Sequence, residues 1–343
     1  MKAIIARGNG KAELAEVPVP EVGPKQVLAK VKYSGICATD IAIITGKTTF
    51  VERGWLNYPV RVGHEWSGIV EKVGSEVKHL KPGDRVISET CASCYDCPEC
   101  WLGKHCSDAR ALGTIGNHWP GCHADYMLMP AQGVYKLDDK VSLENACLHE
   151  PAAIAMDGII KLGVKAGDTV LVTGTGPIGL TGVGLMKAMG MRVFVTGRRD
   201  SKLEYAKKMG ADLVINIKNQ DVKQVLIENT PHGFVDGVLE ASGNVDVLKT
   251  CNSFVSGGRI AMAGFFEQDI KNFDLDSFLL SGNSIMGVCG GTGILPQMMK
   301  LVSNANVDFT PLITSVFPFE QALEAIDTVI ANDGNRIKVL LKH

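Results

Sequence analysis

The sequence lacks an excess of charge of either sign. Its 343 residues include 35 Lys and Arg against 37 Asp and Glu, for a formal net charge of -2. Proteins that bind nucleic acids or anionic membranes commonly carry a basic excess, which attracts those surfaces. The balanced charge therefore argues against a nucleic-acid or membrane partner, and we expect a small-molecule substrate.

Uninterrupted apolar segments are also lacking. The longest charge-free stretch, residues 169–186, has the length of a membrane span but contains five glycines and a proline. The apolar run that follows Met1 is too short for a secretion signal. With 45% hydrophobic and 21% charged residues, the composition is that of a globular protein long enough for two domains. We therefore expect a cytoplasmic protein.

Cysteine, by contrast, is abundant, with 10 residues. In the absence of a secretion signal, this number favours metal binding over disulfides. Five cysteines lie between Cys91 and Cys106, and the pattern Cys-x2-Cys-x2-Cys-x5-Cys supplies four thiolates for a closed, structural zinc site. Cys91 is a further candidate, and buried or redox-active cysteines are the alternative. The preferred ligands are Cys94, Cys97, Cys100 and Cys106.

A second set of metal-binding side chains is dispersed along the chain. Cys37, His64 and Glu150 offer a thiolate, an imidazole and a carboxylate. Zinc accepts all three, and a catalytic zinc keeps one coordination position open. His64 lies in the pattern Gly-His-Glu-x2-Gly-x5-Gly-x2-Val, which begins at Gly63 and predicts a turn followed by an extended segment. Ligands on separate loops indicate a catalytic site.

After residue 150 the pattern changes to alternating strands and helices, which predicts a doubly wound parallel α/β sheet. An apolar strand at 169–173 leads directly into a Gly-x-Gly-x-x-Gly turn and a helix. This context is typical of dinucleotide binding, because the glycines admit a pyrophosphate at the helix N-terminus. A tight turn without a ligand is the alternative. The predicted cofactor-binding residues are Gly174, Gly176, Pro177, Ile178 and Gly179.

The end of the next strand indicates which dinucleotide is bound. NAD-binding proteins usually have an acidic residue there, about 20 residues beyond the glycines. This sequence has Gly197, followed by Arg198 and Arg199. Guanidinium groups bind phosphate well, and no carboxylate repels it at this point. The sequence therefore favours NADP; the alternative is that the arginines are solvated surface charges and the cofactor is NAD.

The order of these motifs over nearly the whole chain resembles the zinc-dependent medium-chain dehydrogenases. The glutamate at Glu150-Pro151 is similar to that of the polyol (sorbitol-type) and threonine-type branch. The resemblance implies a β-rich, GroES-like catalytic domain at 1–150 with a structural-zinc lobe. It also implies a Rossmann domain at 151–289, a return to the catalytic domain at 290–343, and assembly as a homodimer or homotetramer.

The resemblance also implies roles for single residues. Cys37, His64 and Glu150 correspond to the catalytic-zinc ligands, with Glu65 as an alternating or neighbouring ligand. Thr39 corresponds to the hydroxyl that takes the proton from the substrate. Ala42 stands where the family often has a relay histidine, so the route by which the proton leaves is open.

The implied activity is the reversible oxidation of a secondary alcohol in a polyol to a ketone, with hydride transfer to NAD(P). A threonine-type amino-alcohol dehydrogenase and a non-catalytic nucleotide-binding protein are the alternatives. We expect a short helix near Cys37 with Thr39 or Asp40 as its cap, and a strand at 121–130 that returns after the cysteine lobe. We expect the loop at 47–58 to shape the substrate pocket. His118, Trp119 and His123 either line that pocket or, as we expect, lie at the surface or in the packing.

Overall fold

The structure is a computed structural model that describes residues 1–8, 10–95, 97–102, 106, 113–289, 293–331 and 334–343. Short 3-10 helices lie at Ala131–Gly133, Thr310–Leu312 and Phe319–Gln321. The strands are β1 Lys2–Gly8, β2 Lys11–Glu16, β3 Gln26–Ile36, β4 Val60–Arg61, β5 Glu65–Val73, β6 Arg85–Ser88, β7 Cys91–Ala92, β8 Gly113–Thr114, β9 Tyr126–Pro130, β10 Val134–Lys136, β11 Thr169–Thr173, β12 Arg192–Gly197, β13 Leu213–Asn216, β14 Gly237–Glu240, β15 Arg259–Met262, β16 Ser284–Gly287, β17 Ile313–Pro318 and β18 Lys338–Lys342. The helices are α1 Ala38–Thr45, α2 Thr49–Glu52, α3 Pro98–Trp101, α4 Leu143–Cys147, α5 His149–Leu162, α6 Pro177–Ala188, α7 Asp200–Lys208, α8 Val222–Asn229, α9 Val245–Cys251, α10 Leu275–Ser281, α11 Leu295–Ala305 and α12 Ala322–Ala331.

The chain divides into two compact units. The first comprises Met1–Glu150, Thr292–Met299 and Ile313–His343; the second comprises Pro151–Gly291 and Lys300–Leu312. The return segment expected at 290–343 is therefore shared, since its residues 300–312 cluster with the second unit.

The first unit is built on β-sheets. A seven-stranded sheet has the order β10-β6-β5-β3-β18-β17, with β9 also paired to β3, and a three-stranded sheet has the order β2-β1-β4. The long strand β3 alternates apolar and polar residues and pairs with β5, so the segment after His64 starts in the middle of this sheet. Pairing of β18 with β3 brings the end of the chain beside β3, close to Cys37.

The second unit contains a six-stranded sheet of order β13-β12-β11-β14-β15-β16. Neighbouring strands are parallel, and Val170, Leu171 and Val172 of the central strand are fully buried. Counted along the chain from β11, this is the strand order 3-2-1-4-5-6 of the Rossmann fold. The predicted α/β class, with a β-rich first domain and a doubly wound second domain, is confirmed.

Two local predictions are corrected. Cys37, rather than Thr39 or Asp40, is the N-cap of α1, because its backbone is extended and its amide donates to the Asp40 carboxylate. The strand predicted at 121–130 begins only at Tyr126; the residues before it are in irregular backbone that packs against the segment leading to His64. Within the described ranges, no helix has both the length and the hydropathy that a membrane crossing requires.

Candidate active site

Three metal-binding side chains converge in the first unit. One ligand atom each from Cys37, His64 and Glu65 lies within 4.8 Å of the other two. Cys37 follows β3 directly and is the N-cap of α1. Gly63, with φ of 98°, turns the chain just before His64 and Glu65, and Glu65 is the first residue of β5. A side chain at position 63 would collide with the His123 ring. This glycine therefore fixes the approach of His64 to Cys37.

Asp40 holds this group in place. Its buried carboxylate accepts hydrogen bonds from the amides of Cys37 (2.9 Å) and Gly63 (3.1 Å), and its Oδ1 lies 3.2 Å from His64 Nδ1. Burial opposes ionisation, but the imidazoles of His64 and His123 outweigh it and keep the pKa of Asp40 below its usual value. With Nδ1 held by a carboxylate, His64 presents Nε2 to a metal, which is the common arrangement in zinc sites.

A chain of buried polar groups continues behind Asp40. His123 Nε2 lies 3.4 Å from Asp40 Oδ2, and His123 Nδ1 is 2.9 Å from the Ser34 hydroxyl, which in turn is 3.0 Å from Nε2 of His343. The His343 ring stacks on Phe319 with 3.9 Å between centroids. His123 is thus a buried packing residue, and it supports the carboxylate that orients His64.

Glu65 is paired with Lys338. The distance from Lys338 Nζ to Glu65 Oε1 is 2.6 Å, and both side chains are at most 2% exposed. Burial lowers the pKa of Lys338, but the charges of Glu65 and Cys37 outweigh it and raise that pKa. The other Glu65 oxygen, Oε2, is buried without a hydrogen-bond partner in the described part of the chain. One carboxylate oxygen is therefore neutralised and the other remains able to bind a cation.

Glu150 lies outside the compact group of three. It follows His149 at the start of α5, and its Oε1 accepts a 2.9 Å hydrogen bond from the Thr90 hydroxyl. Burial raises the pKa of Glu150, opposed by the charge of His64 and reinforced by that of Glu65. Two carboxylates thus lie within electrostatic range of His64, with Glu65 as the member of the close set.

The donor chemistry of this group fits zinc, which binds thiolate, imidazole and carboxylate together. The hydroxyl of Thr39, in the first turn of α1, lies 3.8 Å from Cys37 Sγ. A substrate oxygen bound beside Cys37 would therefore be within reach of a hydroxyl that can accept its proton.

The cysteine lobe presents a second candidate metal centre. The sulfur-to-sulfur distances are 3.9 Å for Cys94–Cys100, 3.9 Å for Cys97–Cys106 and 3.4 Å for Cys94–Cys106. Four thiolates around zinc, with Zn–S bonds of about 2.3 Å, form a tetrahedron with edges of about 3.8 Å. The observed distances bracket that edge, so the four sulfurs fit a closed zinc site. Cys91 is not a member of this group among the described residues.

The glycine-rich turn lies between β11 and α6 of the second unit. Gly174 has φ of 100°, and a side chain on Gly179 would collide with the Gly174 carbonyl oxygen. Gly176 is the N-cap of α6, and a Cβ added there would meet no atom within 4 Å. Gly174 and Gly179 therefore form the tight turn, and Gly176 leaves open space at the helix N-terminus, which fits the approach of a pyrophosphate.

The end of β12 carries the candidate selectivity residues. Gly197 is buried, whereas Arg198 and Arg199 are exposed and Arg199 is the N-cap of α7. Asp200, the nearest following acid, accepts a 2.7 Å hydrogen bond from the Asn216 amide. The nearest carboxylate is therefore engaged by a neighbouring amide, and two exposed guanidiniums flank the strand end.

Sequence patterns missed two residues of the first unit. Lys338 pairs with Glu65 across 273 positions, and its only local signal is a lysine among the apolar residues of β18. For Asp40, the sequence indicates only a possible helix cap, although this residue lies three positions from Cys37. A carboxylate three residues after a candidate ligand was the available signal.

These features define a class: a dehydrogenase with a β-rich catalytic unit that carries a candidate zinc site, and a Rossmann unit for a nicotinamide dinucleotide. Family models agree with it. Residues 23–139 match the alcohol dehydrogenase GroES-like domain and residues 177–304 match the zinc-binding dehydrogenase domain.

Whole-length relatives give the family. The chain is 32% identical to L-threonine 3-dehydrogenase of Legionella pneumophila (strain Corby), over 98% of this chain and 99% of that protein. It is 32% identical to D-arabitol-phosphate dehydrogenase of Enterococcus avium (100% and 97%) and 31% identical to sorbitol dehydrogenase of Ovis aries (99% and 96%). The chain belongs to the zinc-dependent medium-chain dehydrogenase family, which makes it an NAD(P)-dependent dehydrogenase of the alcohol dehydrogenase type and confirms the predicted family.

Solved structures agree over the full length. A zinc-binding dehydrogenase from Sinorhizobium meliloti 1021 bound to NADP superposes with a TM-score of 0.88 at 28% identity, covering 100% of this chain and 99% of that one. An alcohol dehydrogenase from E. coli CFT073 complexed with NADH gives 0.89 at 28% identity, with the same coverage. Zinc and NAD(P) are thus the cofactors of the fold, and both nicotinamide dinucleotides occur among similar structures.

Proposed function

We propose that this protein oxidises a secondary alcohol of a polyol or sugar alcohol reversibly to a ketone, with hydride transfer to NADP or NAD. The observation that supports the proposal most is the convergence of Cys37, His64 and Glu65 beside the Thr39 hydroxyl. The sorbitol and arabitol-phosphate dehydrogenases among its relatives act on polyols or their phosphates by name.

Each residue of the proposed site has a task that its contacts support. Cys37 and His64 would hold the catalytic zinc, with Glu65 or Glu150 as the carboxylate ligand. When bound, the zinc supplies a Lewis acid that makes the substrate hydroxyl more acidic. Thr39 accepts the proton of that hydroxyl, and Asp40 keeps His64 in its ligating orientation. Cys94, Cys97, Cys100 and Cys106 would hold the structural zinc.

The test is nicotinamide reduction by the holoenzyme with a panel of polyols, sugar-alcohol phosphates, L-threonine and simple primary alcohols. We expect turnover of a secondary alcohol within a polyol chain and a ketone as the product. Turnover of primary alcohols alone, or no turnover in a protein shown to contain both zinc ions, would contradict the proposal.

L-threonine 3-dehydrogenase is the second candidate, because it is the name most frequent among the similar relatives, as in the Legionella pneumophila and Proteus mirabilis proteins. Threonine is also a secondary alcohol, so the same Thr39 and candidate zinc site would serve it. The panel separates the two candidates directly through the ratio of kcat/KM for L-threonine and for the best polyol.

We further propose NADP as the preferred cofactor. Arg198 is exposed at the end of β12, and no hydrogen bond or ion pair of its side chain occurs in the described part of the chain. We expect Arg198→Ala to raise the KM for NADP at least tenfold and to change the KM for NAD less than twofold, because only NADP carries the 2'-phosphate. Steady-state kinetics with both cofactors provides the measurement, and equal effects on the two would contradict it.

We also propose a cellular location and an oligomeric state for the protein. None of the ten cysteines, all of which lie in the described part of the chain, forms a disulfide. This agrees with a reducing compartment, and we propose the cytoplasm. A homodimer or homotetramer is proposed from the family.

A further inference from the structure

A cavity of about 380 Å³ opens in the first unit, apart from the residues assigned above. One wall is the segment from Trp55 to Arg61, and the other is the loop from Asn117 to Pro120. Its volume lies within the range of small-molecule sites. The cavity is therefore large enough for a group of a small substrate.

Arg61 supplies a positive charge to this cavity. Its Nε is buried and has no hydrogen-bond partner, and its guanidinium forms no ion pair in the part of the chain that the structure describes. Burial lowers the pKa of Arg61 to about 10, with nearby Cys122 opposing that shift. The guanidinium is therefore still charged at neutral pH. A largely buried charge that has no protein partner is costly, and an anionic ligand would remove that cost.

Asn117 lines the opposite wall of the cavity. Its Oδ1 is buried and accepts no hydrogen bond from the described residues. A side-chain amide also carries N–H donors, which can bind an oxyanion. The cavity therefore has a guanidinium on one wall and an amide side chain on the other.

Two tryptophans complete the lining. Trp119 donates its indole N–H to the Leu128 carbonyl (2.8 Å), which fixes its ring. Trp55 is 49% exposed, and the Arg53 guanidinium lies over its ring at 5.1 Å. The rings offer an apolar surface for a carbon chain, and Arg53 adds positive charge beside Trp55.

The cavity is lined by a residue of the same backbone segment that contains His64. Arg61 precedes His64 by three residues, so their Cα atoms are at most about 11 Å apart. Across from them, the Gly121 amide donates to the Arg61 carbonyl and the Cys122 amide donates to the Gly63 carbonyl, both at 2.9 Å. The cavity and the candidate zinc site are therefore built on neighbouring residues of the same backbone segment.

We propose that this cavity binds the anionic group, a phosphate or a carboxylate, of a short hydroxylated substrate, with Arg61 as its charge partner. This inference rests on the proposed function and narrows it: the substrate is a sugar-alcohol phosphate or a hydroxylated acid rather than a neutral polyol. Arg61 sets this specificity through ground-state binding, and Thr39 retains its proposed role in the reaction.

The first test needs no turnover. Because Trp55 and Trp119 line the cavity, tryptophan fluorescence of the holoenzyme is titrated with inorganic phosphate and, separately, with acetate, at constant ionic strength in chloride. We expect a saturable change with phosphate or acetate that Trp55→Phe diminishes. Arg61→Gln should weaken the binding at least tenfold, and Arg61→Lys should retain part of it. The control Arg7→Gln, at an exposed arginine that pairs with Glu13 outside the cavity, should change the binding less than threefold.

Absence of a saturable change, or equal binding by wild type and Arg61→Gln, would overturn the proposal. Zinc content and thermal unfolding establish that each variant is folded. If Arg61→Gln does not fold, Asn117→Asp takes its place, since a carboxylate opposite Arg61 should abolish anion binding. The anion that binds, phosphate or carboxylate, identifies the substrate class.

The second test compares substrates. For an anionic substrate, Arg61→Gln should lower kcat/KM at least tenfold, mainly through KM, whereas kcat/KM for the neutral polyol of the same chain length should stay within twofold. Equal losses for both substrates would contradict the specificity role. Saturable phosphate binding without any turnover would contradict the proposed function while leaving the anion site standing, so the two failures are distinguishable.

Discussion

At the scale of single residues, Lys338 and Glu65 form a buried ion pair beside the candidate zinc site. A lysine and a glutamate at most 2% exposed are held 2.6 Å apart, and Lys338 Nζ also donates to the Ile36 carbonyl at 3.3 Å. The pair determines the charge beside Cys37, because Lys338 binds Glu65 Oε1, whereas Oε2 has no hydrogen-bond partner among the described residues. Removal of the lysine would leave a buried, uncompensated carboxylate.

We therefore expect Lys338→Met to lower the free energy of unfolding by about 3–5 kcal/mol. The exposed pair Lys207–Glu204 provides the control, and Lys207→Met should cost under about 1 kcal/mol. Urea unfolding of the zinc-loaded proteins measures both. A Lys338→Met loss no larger than that of the control would contradict a tightly coupled buried pair.

Residue type and spacing were enough to nominate Cys37 and His64, since a thiolate and a Gly-His-Glu turn are local signals. The partners of these residues were not readable in the same way. Lys338 lies 273 positions from Glu65, and His343 lies 309 positions from Ser34. Such contacts arise from the pairing of β18 with β3, which no local pattern encodes.

At the scale of secondary-structure elements, glycines of the turn between β11 and α6 have two different roles: Gly176 leaves space for a ligand, and Gly179 allows close packing. A side chain on Gly176 would enter open space, whereas one on Gly179 would collide with the Gly174 carbonyl oxygen and approach Val172. Only the first position is therefore free to accept a methyl group without a change in the fold.

We expect Gly176→Ala to keep its thermal unfolding temperature within about 2 °C of wild type but to bind NADP(H) at least tenfold more weakly. Gly179→Ala should lose roughly 1–3 kcal/mol of stability through overpacking. Nicotinamide fluorescence titration and thermal unfolding separate the two effects. Unchanged NADP(H) affinity in Gly176→Ala would show that the pyrophosphate does not approach this glycine.

Elements with a strong period were predictable: the strand at 169–173 and the helix after the glycines follow from an apolar run bounded by Gly and Pro. Boundaries set by tertiary contacts were not. The strand expected from Gly121 starts at Tyr126, because Gly121, Cys122 and His123 bond instead to the backbone of residues 61–63. Backbone pairing across a loop overrides local propensity there.

At the scale of the whole molecule, exposed apolar side chains lie on α10, which directly precedes the outermost strand of the second unit's sheet in the chain. On α10, Leu275, Leu279 and Leu280 are 70%, 76% and 85% exposed, and β16, the strand that follows, ends the order of the six-stranded sheet. Contiguous exposed leucines beside an open strand edge are typical of a protein–protein interface. This surface is where we expect two copies of the chain to associate.

We expect Leu279→Glu, alone or with Leu280→Glu, to shift the protein from dimer or tetramer towards monomer. Ile227→Glu on α8, at a residue that is 54% exposed, serves as the matched control and should leave the assembly unchanged. Light scattering coupled to size-exclusion chromatography gives the mass. A monomeric wild type, or an assembly that Leu279→Glu leaves intact, would contradict the interface.

Chain organisation was only partly visible in the sequence. The alternation of strands and helices after residue 150 indicates the second unit. Residues 300–312 follow the last strand of its sheet and a segment of the first unit, and they cluster with the second unit through tertiary contacts. Phe309, which is fully buried, lies close to Gly184 of α6 in this unit. Tertiary contacts of this kind leave no periodic pattern in the sequence.

Cys37, His64 and a carboxylate are proposed to hold a catalytic zinc distinct from the zinc of the cysteine lobe. The most direct measurement is zinc per chain in wild type and in Cys37→Ala, by elemental analysis, together with NADP(H) binding and turnover of the best substrate. We predict two zinc ions in wild type, and in Cys37→Ala one zinc ion, unchanged NADP(H) affinity and at least a hundredfold lower kcat. Equal zinc content in the two proteins, or turnover that survives the loss of one zinc, would contradict the account.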